Sequence, residues 1–436
     1  MTTQAADSSH NASAHGPVAP GEIAIGVIIG RLSEFFDFFV FGIASALVFP
    51  RVFFPFADAQ TATMYAFAIF SLAFVARPFG SLLFRVVHKR YGRGTKLTVA
   101  LFMLGTATAG IAFLPGYDKI GMSAVLALAL LRVAQGLGLA GSWDGLPSLL
   151  ALNAPPDRRG WYAMIPQLGA PLGFLLAAAL FAYLTLSLSE ADFLSWAWRY
   201  PFYVAFAINV VALFARLRLV ETPEFAQLLK SRELVPSPLG ELVRTQGRNI
   251  LLGAFAPLGS FALFHLVTVF PLCWALLFTQ DSVSEYLLVQ VCGAVLGTLT
   301  MLTSGVVADR IGRRATLAIG AGLIAVFSLA GMLPMFLHGS KIGAYLFIVF
   351  GFALLGFTHA QASGAINSSF ASRYRYSGAV LTSDFAWLLG AAFAPLVALS
   401  IAAHVGVGYV GLYLLSGAVG TLGALLLSRN LEPRDD

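Results

Sequence analysis

Apolar stretches of roughly 20 to 30 residues, separated by short polar breaks, fill the chain from about residue 22 onward. Runs of that length cross a ~30 Å hydrocarbon core as α-helices and are too long for the strands of a membrane barrel. Starts fall near residues 22, 61, 96, 121, 160, 197, 249, 284, 315, 342, 376 and 407, twelve in all. Six precede the longest hydrophilic stretch after the N-terminal tail, ETPEFAQLLKSRELVPSPLGELVRTQGR at 221–248, and six follow it. The pattern predicts an all-α integral membrane protein of twelve transmembrane helices in two halves. Its parts are a tail (1–20), an N-terminal six-helix bundle (21–220), a linker (221–248), a C-terminal six-helix bundle (249–428) and a tail (429–436).

Composition agrees, with 58% hydrophobic residues and 11% charged, far from the ~25% charged of a soluble domain. Lys and Arg fall unevenly on alternate sides of the predicted spans, 20 against four, with Arg31, Arg77 and Arg132 inside apolar runs. Basic loops stay cytoplasmic, so both termini are expected there, and the net charge of +6 reads as topology, not as nucleic-acid binding. Cys273 and Cys292 lie in apolar runs, and no Cys or His spacing resembles a metal site. No Ser/His/Asp or paired-carboxylate set sits on a polar loop, so an enzyme is not expected. The first twenty residues lack the basic start of a secretory leader and read as a short disordered tail.

Two loops share a skeleton. RVVHKRYGRGTK (85–96) and GVVADRIGRRAT (305–316) each follow the second helix of their half, which makes the halves pseudo-symmetric copies of one six-helix unit. The skeleton aligns Arg85 with Gly305, Lys89 with Asp309, Arg90 with Arg310, Gly92 with Gly312 and Arg93 with Arg313. The second copy resembles the loop signature of the major facilitator superfamily. SEFFDFFVFG (33–42), ARPFG (76–80), WAWRYPF (196–202), LRLVETPEF (217–225) and SRYRYSGA (372–379) are similar to segments of its metabolite:proton symporter branch. The resemblance spans nearly the whole chain in order. It implies the major facilitator fold, a monomer in the inner (plasma) membrane, and uptake of a small metabolite, often an organic anion. Protons supply the driving force and no other cofactor is implied. In relatives the loop Asp latches the halves on the cytoplasmic side by meeting basic residues and a helix end. Asp309 can do this and Lys89 cannot, so a weakened first latch is expected, or one rebuilt through Glu221, Glu224 or a helix C-terminus.

Charges at bilayer depth are costly unless paired or facing water, which makes them functional candidates. Arg31, Glu34 and Asp37 recur every three residues along one side of the first helix. Asp37 or Glu34 is a candidate proton carrier, against the plainer reading of an Arg31–Glu34 pair. In RVAQGLGLAGSWDG (132–145), Arg132, Gln135 and Ser142 share a helix face and Asp144 points elsewhere. A guanidinium suits a carboxylate, so these are candidate substrate contacts, with Arg31 beside them; the plainer reading ties Arg132 to backbone or to an acid on another helix. The family's Glu in this segment is Ser142 here, and that residue's role cannot be carried over. Asp384 is a candidate second proton site, a counter-ion for Arg31 or Arg132, a contact for a cationic group, or a partner for Arg373 or Arg375. Arg77, His265, His359, Gln361 and Asn367 read as structural, and GLGLAG (136–141) as close helix packing, not dinucleotide binding. Of the 37 Phe, most are expected to face lipid or pack helices. An exporter, a zwitterion or aromatic-acid carrier and a non-transporting sensor remain alternatives to the symporter.

Overall fold

The computed structural model describes residues 20–142, 147, 150, 154–220, 237–330, 340–362, 370 and 372–428. The N-terminal half holds α1 (Pro20–Leu47), α2 and α3 (the two arms of Ala59–Phe113 on either side of Gly92) and α4 (Met122–Gly141). It continues with α5 (Arg159–Met164, extended by Gly169–Ser187) and α6 (Tyr200–Val220). In the second half, α7 runs through Leu239–Phe255, Leu258–Thr268 and Phe270–Phe278, followed by α8 (Val283–Ile311) and α9 (Arg313–Ala330). The last three are α10 (Lys341–His359), α11 (Arg375–Gly390 and Ala394–His404) and α12 (Val410–Leu427). The twelve expected spans are all present.

Local chemistry sets the boundaries. Asp58 caps α2, its Oδ1 accepting from the amides of Gln60 and Thr61 at 3.1 Å, and Ser340 caps α10 through the Gly343 amide at 3.2 Å. Proline interrupts α7 twice, at Pro257 and Pro271, because neither ring nitrogen can donate to the preceding turn. The turn between α2 and α3 and the turn between α8 and α9 both pass through a glycine in the left-handed region, Gly92 at φ 85° and Gly312 at φ 86°. The repeat read in the sequence is thus a repeat of backbone shape.

One boundary differs from expectation. Helix α7 begins at Leu239, ten residues before the start expected near 249 and inside the stretch read as linker. LGELVRTQGR is polar on average but amphipathic as a helix, with Leu242 buried and Val243, Arg244 and Thr245 exposed. Average polarity concealed its apolar stripe. Glu221 and Glu224 lie outside the described residues.

Close helix packing follows the small residues. A Cβ on Gly136 of α4 would stand 2.2 Å from the Ala73 carbonyl oxygen of α2, so only glycine permits that approach. The Phe-rich stretch of α1 does not face lipid. Phe35, Phe36, Phe38, Phe39 and Phe41 are at most 6% exposed, and Phe38 and Phe39 pack on Phe264 of α7 with ring centroids 6.4 and 5.3 Å apart. Aromatic rings therefore fill the middle of the interface between the halves.

Both ends of that interface are closed. At the end carrying the basic loops, Asp309 of α8 accepts from the amides of Gly160 (2.7 Å) and Trp161 (3.1 Å) at the start of α5. Gln361 donates to the Gly160 carbonyl at 3.3 Å, and Arg85 of α2 donates to the Ser237 carbonyl just before α7. At the opposite end the Ser284 hydroxyl donates to Thr185 at 3.0 Å.

Candidate functional site

A cavity of about 50 Å³ lies between the halves, its wall built from α1, α2, α4 and α11. Arg31, Glu34, Arg77 and Asp384 give it charge, and Phe35, Phe38, Phe74 and Trp387 give it an aromatic wall. That volume holds water but no metabolite, so this is a closed state of the carrier.

Two carboxylates on this wall are differently held. Glu34 accepts from Arg31 Nη1, from Arg216 Nη2 and from the Ser142 hydroxyl, each at 2.8 Å, while Arg216 also donates to the Ser142 carbonyl at 3.2 Å. Arg216 fits because Gly30 leaves it room: a Cβ there would lie 2.2 Å from its Nε. This cluster ties α1, α4 and α6 within one half. Asp384, by contrast, is held from across the interface, by Arg77 Nε at 3.2 Å and the Ser81 hydroxyl at 2.5 Å, both on α2. It is 2% exposed and Arg77 is 15% exposed, which makes this a buried pair joining the two halves.

Asp37 and Arg132 lie elsewhere. The Asp37 carboxylate accepts from the Thr108 hydroxyl at 2.6 Å and from Gln135 Nε2 at 3.4 Å; Arg132 donates to Gln135 Oε1 at 3.0 Å and to the Phe70 carbonyl at 3.1 Å. The Arg132 guanidinium lies 3.9 Å from the Phe41 ring centroid, and no part of the residue reaches solvent. Gln135 stands between the charges, relaying one to the other through its amide. Arg132 is thus packed inside the N-terminal half and off the wall of this cavity, the plainer of the two arrangements expected of it, and Gln135 goes with it. Backbone and amide partners within one bundle, available only after folding, draw it inward.

The remaining sequence candidates divide cleanly. Arg31, Glu34 and Ser142 come together on the wall, and Asp37 sits behind it. Asp384 joins them from α11, paired with Arg77 instead of Arg31, Arg132, Arg373 or Arg375; Arg373 pairs with Glu241 at 3.0 Å. Arg77 therefore belongs to the site and is more than a packing residue. His265 is buried among Phe38, Phe70 and Phe264 rings, and His359 meets the Ser260 hydroxyl at 3.4 Å. Asp144 and Asn367 lie outside the described residues. Sequence reasoning missed Arg216, counted among the loop cations, together with Ser81, Thr108 and Trp387. The apolar run around Arg216 is the one signal that could have marked it as buried. Among the described residues no group of three His, Cys, Asp or Glu could hold a metal ion.

The bundle and its interfacial, charge-paired cavity are those of a secondary transporter of the major facilitator fold. A crystal structure of a D-xylose-proton symporter superposes with a TM-score of 0.73 at 18% identity, covering 94% of this chain and 98% of that one. A partially occluded, inward-open conformation of the xylose transporter XylE from E. coli gives 0.70 at 17% identity over 96% of this chain and all of that one. Residues 23–235 match the family described as sugar (and other) transporter. The inner membrane metabolite transport protein YhjE of Escherichia coli K12 is 37% identical over 93% of both chains, and the shikimate transporter of the same strain is 30% identical over 93% of both. The chain belongs to the metabolite:proton symporter family of the major facilitator superfamily. It is a multi-pass membrane transporter of small metabolites and not an enzyme.

Proposed function

We propose that this protein takes up a small organic acid together with protons, with its basic loops and both termini in the cytoplasm of an inner-membrane carrier. The Arg77–Asp384 pair carries the reading, because it is at once part of the cavity wall and a bond between the halves. A substrate carboxylate reaching Arg77 competes with Asp384 for the same guanidinium. A proton on Asp384 neutralises the displaced acid, so no unpaired charge is left buried and the halves can part at this end. Proton and carboxylate then enter together because neither alone balances the site. Asp37 is a second acid that protons could reach once α1 and α3 loosen, and Arg31, which lies over the Phe35 ring and shares Glu34 with Arg216, is a second anchor for an anion.

A zwitterionic substrate is the competing reading. Two arginines face two carboxylates beside an aromatic wall, and relatives include putative proline/betaine transporters of Staphylococcus aureus, 27% identical over 92% of this chain. Uptake into proteoliposomes decides between them. Shikimate and other organic acids are tested beside proline and betaine, with an inward proton gradient imposed and then collapsed. Accumulation of an acid that stops on collapse, and an Asp384→Asn variant that exchanges but no longer accumulates, are expected. Accumulation indifferent to the proton gradient would remove the symport reading.

A further inference from the structure

A second and larger cavity, about 600 Å³, opens on the outside of the bundle where α2 and α3 of one half face α7 and α11 of the other. Its two ends differ in chemistry. Arg85, His88 and Lys96 line it at the basic-loop end, where α2 stops and α3, α7 and α11 begin. Deeper in, the wall is apolar, and Val243, Leu251, Phe385 and Leu389 are each more than a third exposed. Along α7 the lining extends from Leu239 to Ala254, about 22 Å at ~1.5 Å per residue, close to the ~20–22 Å of one leaflet with its headgroup region.

We propose that this groove binds one anionic phospholipid from the leaflet at the basic-loop end, its phosphate against Arg85 and one acyl chain between α7 and α11. Three observations converge on that occupant. The groove faces lipid, its depth matches a leaflet, and its cations sit at the level of the headgroups, where a basic pocket between helices selects anionic lipid. Of the five donors of the Arg85 guanidinium, the bond to the Ser237 carbonyl takes one among the described residues, which leaves the fork able to meet a phosphate. A soluble metabolite has no use for the long apolar wall, and a lipid with a cationic headgroup brings a like charge to a basic rim. Because both halves contribute walls, a lipid seated there bridges them beside the Arg85 and Asp384 contacts. It binds the closed arrangement more tightly than one in which α2 and α11 have separated, and so favours closure at this end.

Native mass spectrometry of the full-length purified protein tests this with phosphatidylglycerol and phosphatidylcholine of identical acyl chains, and with inorganic phosphate as a third probe. Phosphatidylglycerol should be retained at least about fivefold better, and Arg85→Gln should lower its retention by about fivefold. Gly247→Trp keeps Arg85 but places a ring in the groove, since a Cβ there meets nothing within 4 Å. It should reduce phosphatidylglycerol to the level of phosphatidylcholine, and it decides the matter alone if Arg85→Gln fails to fold. Equal retention of the two lipids, retention unchanged in both variants, or displacement by inorganic phosphate would each overturn the proposal. So would phosphatidylglycerol binding that appears only after cleavage and removal of residues 221–236, which would make that segment the natural occupant.

Discussion

Two seams join the halves at the basic-loop end, and the repeat makes them counterparts. In one, α8 lies against the start of α5; in the other, α2 lies beside α11. At the first, Gly305 lets the helices close up, a Cβ there falling 3.2 Å from both Met164 and Trp161, and Asp309 caps α5. At the second, Arg85 stands where Gly305 stands and Lys89 where Asp309 stands, and the helices are held apart by a groove of about 600 Å³. Contact survives there through Arg85 reaching the Ser237 carbonyl, and deeper down through Arg77 and Ser81 reaching Asp384. The comparison teaches that, among the described residues, the side-chain bonds of this seam lie along α2 at Arg85, Ser81 and Arg77. The bond between halves has moved about three helical turns along α2, into the wall of the transport cavity. Glu221 and Glu224, the loop acids expected to rebuild the latch, lie outside the described residues.

The largest effect should come from the relocated bond. Arg77→Met leaves Asp384 buried without its cation, which costs about 3 to 5 kcal/mol of stability in the closed state; a lowered melting temperature of purified protein and a population shifted toward separation of α2 and α11, read by spin-label distances, would show it. An unchanged distance distribution would mean that the pair does not hold this seam. Next comes the intact latch. Asp309→Ala removes a carboxylate accepting two amides at the start of α5 and should weaken closure by about 2 kcal/mol, measured as separation of α5 from α8 in the same experiment. Smallest is Lys89→Asp. Lys89 is exposed, and the groove parts its helix from α11, so restoring the loop acid should move either readout by less than about 0.5 kcal/mol. A large shift toward closure would show instead that a latch can form there once the charge permits, and the two seams would be alike after all.

Much of this architecture was legible beforehand, because lipid imposes it. A span must be a long apolar helix, so the twelve spans follow from run length, and the doubled loop follows from its glycines and arginines. The start of α7 was lost because its apolar residues lie on one stripe and average out with Arg244, Thr245 and Gln246. The site was legible one helix at a time and no further. Arg31 with Glu34 is a local spacing, but Arg216 reaches Glu34 from 182 positions away and Arg77 reaches Asp384 from 307 away. Nothing along the chain states those distances; helix packing does, through residues such as Gly30 and Gly136 that leave room for the approach. Arg132 takes the plainer of its two expected places for the same reason, since the Phe70 carbonyl and Gln135 bond it inside its own bundle.

Gly92 and Gly312 separate form from chemistry in a way that engineering can use. Each holds its turn at nearly the same φ, 85° and 86°, and at neither does a Cβ position meet another atom within 4 Å. A side chain at either site would suffer only from the backbone angles, with ψ 177° and 150°, about 1 to 3 kcal/mol, and from no neighbour. The turns are therefore interchangeable parts over 89–93 and 309–313, whereas Arg85 and Gly305 stay in place because a side chain at 305 would meet Met164 and Trp161. Copying one turn into both positions would give a chain with two aspartate-bearing loops or two all-basic ones, and its preferred orientation of access would report the loop residue at 89 and 309.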